Sequence, residues 1–167
     1  MKSILYSKII RTKVDTPNQR GKAKLVDVLA LKDAGNWKAG EVMIESGLVN
    51  KKGRFFSVNE VRFDPEEEKL ELTKSLNKGK KNPMGRHELF LSRLDGKKVV
   101  SSKGKDLGRV YDYELHLDLK PWKVWKILMD PTGLSPLKRR MKIPTKAVEK
   151  VEDKTIILKK GWKSKNR

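Results

Sequence analysis

Asp112, Glu114, His116 and Asp118 occupy every second position, a spacing that puts carboxylates and an imidazole on one face of an extended chain. Oxygen and nitrogen donors presented together could hold a cation. Alternate residues of a strand lie roughly 6.6 Å apart, however, too wide for two neighbours to grip one ion unless a second strand helps. The pattern therefore reads as a charged strand face paired with neighbouring lysines, and no metal site is expected. His87, the other histidine, lies far off in sequence, so the two form no recognisable nucleophile and base pair. The absence of cysteine excludes disulfides, thiolate nucleophiles and Cys-ligated metals. Gly104 to Gly108 precedes a strand pattern, where a phosphate-cradling loop would open a helix. The expectation is a protein without catalytic residues, resident metal or cofactor, and thus no enzyme.

Charge offers different chemistry. The chain carries 40 Lys and Arg against 21 Asp and Glu, a net charge of +19, and the excess is uneven. Residues 1–72 hold 14 basic and 11 acidic side chains, net +3; residues 73–93 are net +5, and residues 94–167 are net +11. Lys78, Lys80, Lys81 and Arg86 fall in a stretch with little apolar content, read as a flexible joint. Lys138, Arg139, Arg140 and Lys142 lie between Pro136 and Pro144, and Lys159, Lys160, Lys163 and Lys165 lie in the C-terminal segment. Like charges this dense repel each other, and a polyanion relieves the repulsion. These twelve residues are the candidate contacts to RNA or a ribonucleoprotein. An acidic protein or an anionic membrane surface would suit the same charge, as would plain solubility in a lysine-rich protein. Trp122 and Trp125 add two rings to a basic strip. One indole is expected in the core, while exposed rings could stack on unpaired bases.

The elements that would carry these residues repeat along the chain. Subtracting 85 pairs Ser92 with Ser7, Lys98 with Lys13, Val99 with Val14 and Asp112 with Asp27 as identities. Conservative pairs lie between, among them Leu94 with Ile9 and Val110 with Leu25. Tyr111, Tyr113, Leu115, Leu117 and Leu119 alternate with polar residues, which predicts a half-buried strand. Asp95-Gly96 and Lys103-Gly104 predict hairpin turns, since Gly accepts positive φ. Further strands are predicted over 41–44, 54–58, 69–72, 124–129 and 155–158. Pro144 belongs at a strand edge, having no N–H to give a ladder.

Gly96-Lys97-Lys98-Val99, then Gly104 to Val110 with its two glycines, then Asp112, resemble the opening strands of the PRC-barrel family. That family includes the small barrel of the reaction-centre H subunit and the terminal barrel of ribosome maturation factors. The first copy departs where Arg11, Gln19 and Ala23 replace Gly96, Gly104 and Gly108. The resemblance implies an all-β protein of two small PRC-barrel-like β-barrels in tandem. Their expected bounds are 1–72 and 89–160, with a basic linker at 73–88 and a basic tail at 161–167. It also implies a non-catalytic adaptor docking onto a larger assembly, and leaves a homo-oligomer open. No apolar run approaches the roughly 18 residues that span a bilayer, and Lys8 interrupts the apolar stretch near the start. A cytoplasmic protein is expected.

Overall fold

The computed structural model of the chain describes residues 2–18, 22–46, 52–85, 87–132 and 140–162. The first half runs β1 (Ile4–Leu5), α1 (Tyr6–Ile9), β2 (Lys13–Asp15), β3 (Ala23–Leu31), β4 (Trp37–Ser46) and β5 (Lys52–Ser57). A 3-10 turn at Val58–Glu60, β6 (Val61–Asp64) and β7 (Lys69–Leu72) complete it. The second half has the same order: β8 (Leu89–Phe90), α2 (Leu91–Leu94), β9 (Lys98–Val100), β10 (Asp106–His116), β11 (Trp122–Pro131) and β12 (Met141–Pro144). A 3-10 turn at Thr145–Ala147, β13 (Val148–Val151) and β14 (Thr155–Leu158) follow.

The protein is all-β. Among the described residues its 14 strands form one large sheet that is not closed, where the sequence suggested two separate barrels. The path β13-β14-β9-β10-β11-β4-β3-β2-β7-β6 crosses from one half to the other at β11 and β4. Beyond that seam, each half also gives its first strand away. β1 pairs with β10, Ile4 opposite Leu115, while β8 pairs with β3, Leu89 opposite Ala30. These two pairings are the same pairing displaced by 85 residues. The central seam obeys the same offset: Trp122 faces Ala39, Val124 faces Trp37, and Lys38 faces Lys123 between them.

Buried carboxylates fasten the exchange. Asp112 accepts from the Ser7 N–H at 3.0 Å and the Ser7 hydroxyl, and Asp27 accepts from the Ser92 N–H at 3.2 Å and the Ser92 hydroxyl. A charge removed from water costs heavily unless its lone pairs are used. Here the following N–H, Tyr113 for Asp112 and Val28 for Asp27, supplies another donor. The apolar core is correspondingly continuous, with Val14, Leu25 and Trp37 in the same cluster as Val99, Val110 and Trp122.

Turn geometry at Gly96 and Arg11 follows the same offset. Gly96 adopts φ 78° and its N–H donates to the Val110 carbonyl at 2.9 Å. Arg11 adopts φ 67° and donates to the Leu25 carbonyl at 2.7 Å, the same turn made without a glycine. Strands predicted over 69–72 and 155–158 are found there, and Pro144 sits on β12, whose strand partner is β11.

Two expectations fail for identifiable reasons. Asp112, Glu114 and His116 are buried, not solvated, because two β-bulges in the β10–β11 ladder interrupt the strict alternation and β1 covers the strand. The segment after β7 is anchored where a flexible joint was expected. It forms a 3-10 turn at Leu76–Lys78, exchanges backbone hydrogen bonds between Lys80 and Phe55 at 2.8 and 2.9 Å, and gives the Met84 and Gly85 N–H groups to buried Glu41.

Candidate functional site

The outer face of β10, β11 and β12 gathers more cations and rings than either half of the sequence suggests. β10 turns Val110, Tyr113 and Leu115 inward, and β11 does the same with Trp122, Val124, Ile127 and Met129. Both ladders would leave regular alternation on the outside, were it not for the bulges. Between Val110–Met129 and Asp112–Leu128 the extra residue is Tyr111. Between Glu114–Lys126 and Leu115–Val124 it is Trp125. A bulge re-aims the side chain of its extra residue, and both of these are partly exposed aromatics.

Each ring has a defined neighbour. The Arg140 guanidinium lies 4.2 Å from the Tyr111 ring centroid and its Nε donates to Asp130 at 3.1 Å. His116 stacks on Trp125, centroids 4.9 Å apart and planes 16° from parallel. Its Nδ1 is buried without a hydrogen-bond partner among the described residues. Lys142 reaches the Glu114 carboxylate at 2.5 Å, with the lysine exposed and the acid nearly buried. Burial pushes the Tyr111 hydroxyl above its ordinary range and the Arg140 charge partly offsets this. Lys123 and Lys126 flank Trp125 in sequence, and Arg109 is exposed opposite Asp130. Asp112, Glu114 and Asp130 on this face are each engaged by a neighbouring donor.

The residues predicted as contacts are thus distributed. Arg140 and Lys142 lie on this face, both exposed. Lys78, Lys80 and Lys81 lie on the segment packed along β5, in the first half, and all three are exposed. Lys78 and Lys80 border a shallow cleft of about 400 Å³ with Lys74, Phe55 and Met84. Lys159 and the exposed Lys160 follow β14, the Lys159 N–H donating to the Ala147 carbonyl at 2.8 Å. Arg86, Lys138, Arg139, Lys163 and Lys165 lie outside the described residues. Sequence reasoning missed Arg109 and Tyr111, and saw Lys123 and Lys126 only as the basic strip around Trp122 and Trp125, outside the twelve contacts. A signal for the rings was available, since Tyr111 and Trp125 stand where the offset of 85 puts Val26 and Gly40. By the same offset Trp122 matches Trp37, and both are fully buried at the seam.

Among the described residues no group of three or more His, Asp or Glu side chains could hold a metal ion, and no helix is long and apolar enough to cross a membrane. The twin-glycine turn into β10 and the cross-strand order β9-β10-β11-β12 lie within a segment that matches a known domain. Residues 86–165 match the PRC-barrel domain. No curated protein matches the chain. The matched segment contains the whole outer face, including both bulges, Arg140 and Lys142. It takes β1 from outside itself, so its sheet includes a strand of the first half.

Proposed function

We propose that the protein is a non-catalytic cytoplasmic adaptor, built of two paired PRC-barrel-like copies, that associates with RNA or a ribonucleoprotein through the outer face of its second half. The observation carrying this reading is the pair of bulges that lift aromatic rings out of a sheet face whose other exposed residues are largely basic. Phosphates recruit such a surface electrostatically, and rings add contacts that a merely solubilising charge would not need. The constant offset of 85 in strand pairing and in the Ser–Asp contacts supports the paired copies. It casts the first half as the scaffold that completes the second.

The test compares a mixed-sequence RNA with anionic vesicles at matched ionic strength, using the full chain. RNA binding that weakens steeply with salt is expected. Replacing Arg140 and Lys142 by Gln should weaken it and lower the slope of log affinity against log salt by about 0.7 for each phosphate left without its cation. Vesicle binding without RNA binding would instead make the protein a peripheral membrane scaffold. Binding to neither would point to an acidic protein partner.

A further inference from the structure

We infer that the nucleic acid taken by this face is single-stranded, with one unpaired base stacked at Trp125 and another at Tyr111; the inference rests on the RNA reading above. The two bulges are separated by between three and four residues of β10, which places the rings roughly 12 Å apart along the strand. Two rings raised from one sheet face at that separation can each meet a base of one extended strand, the two bases not being adjacent in sequence. A duplex hides its base faces within the stack and would touch such rings only at its ends.

The neighbours of each ring suit this role. His116 is 6% exposed and lies parallel to Trp125, so it backs the indole and holds it flat. A base would stack on the side of the indole away from His116, with Lys123 and Lys126 on either side of Trp125 in sequence to meet phosphates. At Tyr111 the stacking partner is itself a guanidinium, which stacks on bases as readily as on phenol rings. Arg140 is exposed and tied to a single exposed carboxylate, Asp130, so a base can share or displace it.

The first half supplies the contrast within the same molecule. The β3–β4 ladder has bulges at the matching positions, where the extra residues are Val26 and Gly40. Lys126 is matched by Glu41, which is buried and grips the Met84 and Gly85 N–H groups. The same backbone device is therefore present twice and carries aromatic rings once. A bulge kept for folding alone would not require an aromatic extra residue, as Gly40 demonstrates.

The experiment titrates the full chain with a single-stranded RNA and with a duplex of the same length, following anisotropy and tryptophan fluorescence. Tighter binding of the single strand and quenching of Trp125 emission are expected. Tyr111→Ala and Trp125→Ala should each weaken single-strand binding about 5- to 140-fold, with the salt slope unchanged. Trp125→Phe, which keeps a ring should the alanine variant not fold, should retain most affinity and lose the quenching. Equal affinity for both RNAs, with the aromatic variants unaffected, would overturn the stacking inference and leave RNA association standing. Absence of binding to either RNA at low salt would remove both.

Discussion

The two halves share a backbone plan down to the placement of irregularities, yet they treat the same outer face in opposite ways. In the first half the bulges hold Val26 and Gly40, and Glu41 pins the connecting segment, which also bridges to β5. In the second half the bulges hold Tyr111 and Trp125, and Lys126 stands at the position of Glu41. One half uses the position of its acid to fasten its own chain, while the other offers cations. The lesson is that a shared backbone plan constrains backbone geometry strongly and the chemistry hung on it weakly.

The largest effect that tests this comparison concerns the part the halves share. Asp27→Ala and Asp112→Ala each strand a serine hydroxyl and two N–H groups in a poorly hydrated site. Each should cost about 2 to 4 kcal/mol in denaturant unfolding, a few unmade hydrogen bonds at roughly 1 kcal/mol or more apiece. A loss confined to one of the two would break the reciprocity. Asp27 also accepts from the Tyr6 hydroxyl at 3.0 Å, so its replacement should be the costlier.

A smaller effect should appear in the feature that differs. Glu88 is partly buried beside Glu41 and hydrogen-bonds to it, and loss of hydration together with that like charge pushes its carboxyl up to about 8. An acid whose folded value exceeds its unfolded value binds more protons folded, so stability declines as pH rises from about 4.5 towards 8. Glu88→Gln should flatten that decline and make the chain more resistant to denaturant above pH 8. An unchanged profile would show that the pair does not govern how the connecting segment is held.

The smallest effect is expected from loading the empty bulge. A Cβ at Gly40 meets no atom within 4 Å, and its φ is not in the left-handed region. Gly40→Trp should therefore fold with a stability change of about 0.5 kcal/mol or less, as surface substitutions do. It should add no RNA affinity, because Glu41 and the docked segment remain. A gain would mean that the ring alone makes the site.

Much of the framework was legible in the residues. The identities at Ser7 and Ser92, and at Asp27 and Asp112, marked the contacts that join the halves, although the sequence could not say that each serine reaches the other half's aspartate. Gly96 and Gly104 located turns because positive φ has few other tenants, while Arg11 concealed the matching turn by adopting φ 67° without glycine. The bulges were hidden. Tyr111, Tyr113 and Leu115 keep a perfect period of two, and nothing local distinguishes an extra residue from an inward one. Exchange of β1 and β8 was equally hidden, since two residues of strand carry no pattern and their partners lie more than a hundred and about sixty positions away.

That exchange also sets a schedule for biosynthesis. Ile4 finds its partner in Leu115, so about 110 residues must emerge before the earliest strand has anything to pair with. At roughly 5 to 20 residues per second, the wait is on the order of 5 to 20 s. During it the second-half contact of Ser7 is missing and the core of the first half lacks Leu91 and Leu94, which arrive with α2. The nascent first half therefore keeps apolar edges uncovered over that interval, and slowing elongation between residues 73 and 115 should lengthen their exposure.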